Sequence, residues 1–285
     1  MEGDVSDPAA GTLYVVSTPI GNMGDFSFRA VDVLKSVALI LAEDTRHTRG
    51  LLARYEIARP MASYHEHNEA KTTPSIVARL AAGESIALVS DAGTPLLSDP
   101  GARLVAACVD AGIPVVPIPG ASALLAALVA SGLDASRFTF FGFLTRTGAD
   151  RRASLDEITS STHTCVLYES PNRLATTLGE LEQRGNGDRR VAVAREMTKQ
   201  FEEVRRGTVG ELRTYYQDNP PRGEIVVVLS GASVRIPDDS VVRERVRALR
   251  ASGLSSRDAA TTVASELGVS KRVAYRMAQD LGDAE

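Results

Sequence analysis

The residues that point most directly to chemistry form one polar loop, Ser-Asp-Ala-Gly-Thr-Pro-Leu-Leu-Ser-Asp-Pro-Gly at 90–101. An apolar run at 85–89 precedes the loop and an amphipathic run at 102–111 follows it, which predicts a strand, the loop and then a helix. Loops at the carboxyl ends of strands in parallel α/β sheets bind ligands. The two aspartates, two glycines and two prolines predict a rigid loop whose backbone can approach a ligand closely. An ordinary strand-to-helix turn is the alternative.

A second loop, Ala-Glu-Asp-Thr-Arg-His-Thr at 42–48, combines two acids with an arginine and a histidine at a predicted strand end. Such side chains can transfer protons or bind a hydroxyl group. A helix start capped by Asp44 or Thr45 is the alternative. The stretch His-Glu-His-Asn-Glu at 65–69 has two histidines but no further ligand cluster near it. We therefore expect no metal site there, but a polar loop or a helix cap at Asn68.

Five further polar loops lie at the ends of apolar runs, at 17–25, 119–123, 168–173, 194–199 and 221–224. The first of them lacks the G-x-G-x-x-G spacing and the chain has no Walker A pattern, so neither a Rossmann dinucleotide site nor a P-loop is predicted. The second opens a helix whose free N–H groups can bind a carboxylate or a ribose. Polar loops at so many strand ends, in both halves of the chain, favour a cleft between two domains.

The elements that must position these loops alternate between apolar runs and helical patterns over residues 12–131. This βαβα order predicts an α/β domain with a parallel sheet and helices on both faces. After a linker at 131–136, several strands follow one another without a helix between them. We therefore predict a second α/β domain at 136–231 with a mixed sheet.

Three local patterns give sharper expectations. The helix at 121–130 is apolar on every side and should be buried. Thr73 and Pro74 resemble an N-cap followed by a first-turn proline, which predicts a helix from there to about Ala82. The polar, basic stretch at 145–152 is predicted to be a loop.

The last part of the chain, 240–285, is predicted to be a separate helical module after a polar linker at 232–240. Residues 241–276 contain eight basic and three acidic groups, a local charge of +5 in a chain whose formal net charge is -4. Two helical patterns around a turn at 267–270, with Ser270 as a cap, have the form of a helix-turn-helix. This basic module favours contact with a polyanion, and a three-helix packing unit is the alternative.

Composition narrows the protein class. Of 285 residues, 44% are hydrophobic and 24% are charged, as in soluble globular proteins. No apolar run approaches the roughly 20 residues that span a bilayer, and the start of the chain lacks the pattern of a signal peptide. We therefore expect a cytoplasmic protein without a membrane partner. Cys108 and Cys165 lie in apolar runs and are predicted to be buried thiols.

Six motifs occur in one order: Ser-Thr-Pro-Ile-Gly-Asn (17–22), Ala-Glu-Asp-Thr-Arg (42–46), the 90–101 loop, Tyr-Glu-Ser-Pro-Asn-Arg-Leu (168–174), Ala-Arg-Glu-Met-Thr-Lys (194–199) and Gly-Glu-Ile-Val (223–226). With these motifs the chain resembles the small-subunit ribosomal RNA 2′-O-ribose methyltransferases of the tetrapyrrole methylase superfamily. The resemblance implies two α/β domains of tetrapyrrole-methylase type with an inter-domain cleft, a helical extension, and a homodimer.

The resemblance also implies a reaction. A methyl group passes from S-adenosyl-L-methionine to the ribose 2′-hydroxyl of a cytidine in the decoding region of 16S rRNA, in the 30S ribosomal subunit. The sulfonium donor is already activated, so no metal is expected. The donor-binding residues that the family's loops imply are Pro19, Ile20, Asp91, Ala92, Gly93, Thr94, Pro95, Ala121, Ser122, Ala123, Tyr168, Glu196, Met197, Arg222 and Gly223.

Loop position and charge make Asp44, Glu169 and Lys199 the candidates for a general base in this reaction. Candidate RNA contacts are Arg46, Arg146, Arg151, Arg152 and Arg173 in the α/β part, and Lys271, Arg272 and Arg276 in the tail. Two other functions stay open. One is a precorrin-type tetrapyrrole methylase, which would not need a basic tail. The other is a non-catalytic, ribosome-associated RNA-binding protein, which would not need so many glycine- and proline-bearing loops.

Overall fold

The computed structural model describes residues 11–232 and 238–280. The stretch before residue 11, most of the predicted linker at 232–240 and the end of the predicted tail lie outside these residues. Two compact units are present, one ending at Gly231 and one beginning at Ala232. None of the helices in the described ranges combines the length and apolar content that a bilayer crossing requires.

A parallel five-stranded sheet forms the first half of the larger unit, as the βαβα pattern predicts. Its strands are β1 (Leu13–Val16), β2 (Leu39–Ala42), β3 (Met61–Ser63), β4 (Ile86–Val89) and β5 (Val115–Ile118). They lie in the order β3-β2-β4-β1-β5, and every neighbouring pair is parallel. The carboxyl ends of all these strands therefore lie at one edge, where such sheets bind ligands.

Helices cover both faces of this sheet. They are α1 (Phe28–Ser36), α2 (Thr45–Arg54), α3 (Glu69–Ala81) and α4 (Ala102–Asp110), and α5 (Ala123–Ser131) follows the last strand. Successive side chains of a strand point to opposite faces, so Ile40 packs with α1 and α2, and Leu41 packs with α3 and α4. The strands are buried from both sides, which explains their uninterrupted apolar sequences.

The second half contains a mixed sheet, as predicted. Its elements are β6 (Phe138–Phe143), α6 (Ala149–Ser160), β7 (Thr164–Glu169), α7 (Leu174–Leu181), β8 (Arg190–Arg195), β9 (Glu203–Thr208), α8 (Val209–Asp218) and β10 (Ile225–Leu229). The strand order is β6-β7-β10-β8-β9, with β6 and β7 parallel and the other pairs antiparallel. Because β10 is antiparallel to β7 and β8, its first residues lie beside their carboxyl ends. The predicted loop at 145–152 is partly wrong, since α6 begins at Ala149.

Helix α5 joins the two halves, because it follows the first sheet in sequence and packs on the second. Its Leu124 and Leu128 are buried in one cluster with Val226 of β10. The prediction of complete burial is wrong, because Leu125 is 51% exposed and Val129 is 76% exposed. A helix that is apolar on every side has two apolar faces, and within the described single chain only one of them is covered.

The start of α3 also differs from the prediction. The helix begins at Glu69, so that Pro74 lies inside it, and Thr73 is a buried helical residue whose hydroxyl donates to the Glu69 carbonyl at 2.7 Å. Asn68 holds the N-cap position, as the alternative for 65–69 predicts, and its side-chain oxygen accepts a hydrogen bond from the His65 N–H at 2.9 Å.

The smaller unit consists of α9 (Asp239–Ala251), α10 (Ser256–Leu267) and α11 (Lys271–Asp280). Val246, Val263 and Met277, one from each helix, are buried in its core. The chain turns after α10, and the Ser270 hydroxyl accepts a hydrogen bond from the Val273 N–H at 3.3 Å. The predicted helix, turn and helix with Ser270 as the cap are therefore present.

Candidate active site

A cavity of about 400 Å³ lies between the two sheets of the larger unit. The first half lines it with the loops after β1 and β4 and with the start of α5. The second half lines it with the ends of β6 and β7, with the loop after β8, and with the residues that lead into β10. The cleft therefore forms where the carboxyl ends of strands from both sheets face each other, and the 90–101 loop contributes to it.

Three loops of the first half are bonded into one floor. Thr18 and Gly93 exchange two backbone hydrogen bonds of 2.9 and 3.1 Å. The Thr94 hydroxyl lies 3.1 Å from that of Ser17 and donates to the Ala121 carbonyl at 3.2 Å. Gly93 has φ of +82°, and a Cβ atom there would lie 3.2 Å from Cγ2 of Ile20, so this position requires glycine. The floor is therefore preorganised by the sequence.

Backbone strain is concentrated at this cavity. Among the described residues, five that are not glycine have φ in the left-handed region, and four of them are Leu96, Ser98, Glu196 and Thr198. These four flank the cavity loops after β4 and β8. Such conformations cost of order 1–3 kcal/mol each and occur mainly at binding and catalytic sites. The strain therefore marks both loops as functional.

The first half also carries a group of acids at this edge. Burial, together with the charges of Glu43 and Asp91, raises the pKa of Asp99 to about 6. Burial likewise raises the pKa of Glu43, and Asp91 adds to that effect. Sequence reasoning did not single out Asp99 or Glu43 as titrating groups, although both lie inside the quoted motifs. Asp91 and Asp99 line the cavity directly.

Asp44, the first candidate base, is the N-cap of α2. Its side chain accepts a hydrogen bond from the Arg46 N–H at 2.8 Å, which lowers the pKa of Asp44. The side chain is exposed and does not line the cavity. Its backbone N–H donates to Oδ1 of Asp91 at 3.0 Å. Asp44 thus supports a cavity residue, and it leaves the set of proposed bases.

Glu169 is a structural carboxylate. Its side chain is completely buried, and it accepts hydrogen bonds from the Thr177 hydroxyl at 2.6 Å and from the Ser170 N–H at 2.8 Å. The Nε atom of Arg173 lies 3.3 Å from Oε1. Both carboxylate oxygens are therefore occupied by partners, and Glu169 also leaves the set of proposed bases.

Lys199, the third candidate, is held by two carboxylates. Its Nζ donates to Glu196 Oε1 at 2.9 Å and to Glu224 Oε2 at 3.1 Å. Burial lowers the pKa of Lys199, but the two glutamates outweigh burial and raise this pKa. A lysine acts as a base only when its pKa is depressed, so Lys199 stays charged and is not a proposed base.

Most of the residues implied to bind the methyl donor meet at the cavity. The lining includes Ile20, Asp91, Ala92, Gly93, Thr94, Ser122, Ala123, Tyr168, Met197 and Gly223. Four others lie in the same loops behind the surface: Pro19, Pro95, Ala121 and Glu196. Arg222 is the exception, because it lines a second cavity of about 250 Å³ together with Arg195 and Tyr215.

The candidate RNA contacts divide by exposure. Arg46, Arg146 and Arg152 are exposed, as are Lys271, Arg272 and Arg276 on α11. Arg151 is 5% exposed, forms an ion pair with Glu180, and donates to the Thr177 hydroxyl at 2.9 Å. Because α6 begins before these residues, neighbouring arginines point in different directions, and Arg151 leaves the set of RNA contacts. Arg173 is half-buried and bonded to Glu169 and to the Leu144 carbonyl, and it leaves the set for the same reason.

S-adenosylmethionine fits this cavity. A volume of about 400 Å³ lies within the roughly 300–1,000 Å³ range of ligand pockets. Asp91 and Asp99 offer carboxylates to the positively charged part of the donor, and the backbone groups around Gly93 and Ser122 are available to its polar atoms. Within the two described ranges, no group of three or more His, Cys, Asp or Glu side chains could hold a metal ion.

Comparisons with known proteins agree with the site. A family model described as Tetrapyrrole (Corrin/Porphyrin) Methylases matches residues 12–213. The Ribosomal RNA small subunit methyltransferase I of Synechocystis sp. is 45% identical over 95% of this chain and 98% of that protein. The protein of the same name from Bacillus subtilis is 42% identical over 93% of each chain.

Solved structures agree with the fold. Cobalt precorrin-4 methyltransferase superposes with a TM-score of 0.60 at 17% identity, covering 77% of this chain and 95% of the other. Diphthine synthase gives a TM-score of 0.60 at 14% identity, covering 77% and 89%. The chain therefore belongs to the ribosomal RNA small subunit methyltransferases I within the tetrapyrrole methylase family, and it is an S-adenosylmethionine-dependent methyltransferase.

Proposed function

We propose that this protein methylates the ribose 2′-hydroxyl of a cytidine in 16S rRNA of the 30S ribosomal subunit, in the cytoplasm where ribosomes assemble. The observation that carries this proposal is the pair of exposed arginines at the cavity. Arg46 follows Asp44, which is bonded to the cavity residue Asp91, and Arg146 follows Phe143, which lines the cavity. Exposed guanidinium groups in these places suit the phosphates of an RNA strand.

The relatives support the same substrate, because their names specify ribosomal RNA of the small subunit. When bound, S-adenosylmethionine supplies an electrophilic methyl group. The task of the protein is then to hold the ribose oxygen in line with it. Positioning of this kind is worth up to about 7–11 kcal/mol in favourable systems. The bonded floor around Gly93 provides the rigid half of such a site.

The helical tail is proposed to add affinity for RNA. Lys271, Arg272 and Arg276 are exposed on α11, and Tyr275 beside them is 41% exposed. Cations with an exposed aromatic ring are typical of surfaces that bind nucleic acid. Charge reversal of Arg272 and Arg276 is expected to weaken binding to 30S subunits and to leave donor binding unchanged.

The direct test is methyl transfer from labelled donor to 30S subunits that lack the modification, followed by mapping of 2′-O-methylated nucleotides. Subunits that already carry the methyl group serve as the matched control and should accept none. Transfer to a tetrapyrrole, with none to 16S rRNA, would contradict the proposal and favour the precorrin-type alternative.

A homodimer is part of the proposal, and the uncovered face of α5 supports it. Leu125 and Val129 lie one helical turn apart and are both more than half exposed. Val129→Glu is expected to convert a dimer to a monomer in light scattering. Val109→Glu on α4 is the matched control, because Val109 is 63% exposed on a different helix. A wild-type protein that is monomeric at micromolar concentration would contradict this part.

A further inference from the structure

Five titratable side chains line the 400 Å³ cavity: Asp91, Asp99, Tyr168, Glu169 and Glu224. Four of them have another task or the wrong chemistry. Asp91 accepts a hydrogen bond from the Asp44 N–H, Glu169 is saturated by partners, and Glu224 is paired with Lys199. Burial raises the pKa of Tyr168, which keeps this phenol protonated. Asp99 remains.

We propose that the Asp99 carboxylate is the general base that takes the proton from the attacking ribose hydroxyl. This inference rests on the proposed function. The ribose oxygen forms a bond to the methyl carbon, and the bond from that carbon to sulfur breaks with its electron pair going to sulfur. The hydroxyl proton moves to a carboxylate oxygen of Asp99 and leaves later to water.

The backbone holds Asp99 in place from both halves of the unit. Leu96 and Ser98, with φ of +74° and +71°, bend the loop just before it. On the other side, a Cβ atom at Gly142 of β6 would lie 2.8 Å from Oγ of Ser98, so only glycine lets the second half pack this closely. A strained loop braced in this way keeps a side chain in one position.

The electrostatic surroundings suit a base that works near neutral pH. The charged groups that act on Asp99 are Glu43 from the end of β2 and Asp91 from its own loop, while Ser90 donates a hydrogen bond to it and Tyr168 faces it from β7. His65 acts on Glu43 in turn. In the described part of the chain, no lysine or arginine forms an ion pair with Asp99. A pKa of about 6 leaves Asp99 ionised at pH 7 and basic enough to accept a proton.

The test measures single-turnover methyl transfer to 30S subunits over a range of pH. Wild-type protein should gain rate as pH rises through about 6 and then level off, because Asp99 must lose its proton. Asp99→Asn should reduce the rate by about 10²–10⁴-fold and abolish this pH dependence. Asp99→Glu should recover part of the rate. Asp110→Asn, which changes an exposed carboxylate on α4, should behave like wild type.

Two measurements without turnover separate this role from others. The donor Kd, from calorimetry, should keep its order of magnitude in Asp99→Asn, and ¹³C NMR should show the Asp99 carboxyl titrating near pH 6. The proposal is overturned if Asp99→Asn keeps its rate and pH profile, or if weaker donor binding accounts for the whole loss, since Asp99 would then be a counter-ion. A wild-type protein without activity on 16S rRNA would instead overturn the proposed function.

Discussion

The two sides of the cavity use the same charged residue types in opposite ways. On the first side, Glu43, Asp91 and Asp99 crowd together, and no described Lys or Arg pairs with them. On the second side, Glu169 is paired with Arg173, and Lys199 joins Glu196 and Glu224. Unpaired, partly buried acids have raised pKa values and can transfer protons, whereas paired groups hold loops in position. The first side is therefore suited to chemistry, and the second to support.

Gly93→Val would break the first side most severely. A β-branched residue at φ of +82°, against Ile20, adds strain of about 1–3 kcal/mol to the donor floor. Donor binding measured by calorimetry should weaken by about tenfold to a hundredfold, which is this strain expressed as a binding constant. Gly83→Val is the matched control: φ there is +97°, nothing lies within 4 Å, and the cavity is elsewhere. It should lower stability and spare the donor Kd.

Glu169→Gln tests whether the second side is structural. The substitution removes the charge that faces Arg173, so urea unfolding should show a loss of about 1–3 kcal/mol in the free energy of unfolding. Glu182→Gln is the control, because its ion pair with Arg213 is partly exposed and should contribute less than about 1 kcal/mol. If Glu169→Gln instead left stability unchanged and abolished methyl transfer, the comparison between the sides would fail.

The acids of the first side should also make stability depend on pH. The pKa of Asp99 is raised in the folded protein from 3.8 to about 6, so folding favours the protonated form. Its contribution to stability is complete below the unfolded pKa and is lost as pH rises toward the folded one. Asp99→Asn should therefore raise Tm relative to wild type at pH 7, and the difference should vanish below pH 4. A difference that did not change with pH would contradict this assignment.

The smallest expected effect distinguishes two neighbouring arginines. Arg152→Ala removes an exposed cation, so the salt dependence of rRNA binding should fall by about one unit of slope, with stability unchanged. Arg151→Ala removes a buried group bonded to Glu180 and should lower Tm without changing that slope. The reverse outcome would return Arg151 to the RNA surface.

Sequence reasoning predicted the fold better than the roles of single charges. Apolar runs such as Leu13–Val16 are local signals, and the alternation of such runs with helices identified both sheets. The pairing of Lys199 with Glu224 joins residues 25 positions apart, and no local pattern contains it. The surroundings of Asp99 depend on Glu43 from another strand, so its raised pKa was equally invisible in the sequence.

Helix α5 has a consequence for the way the chain is made. Leu124 and Leu128 are synthesised long before β10, the strand against which they are buried, which begins at Ile225. At about 5–20 residues per second, the ribosome needs roughly 5–20 s to cover that distance. For this interval the first half of the nascent chain displays both apolar faces of α5. A fragment ending at Ser131 should therefore aggregate or bind chaperones, although its parallel sheet is complete.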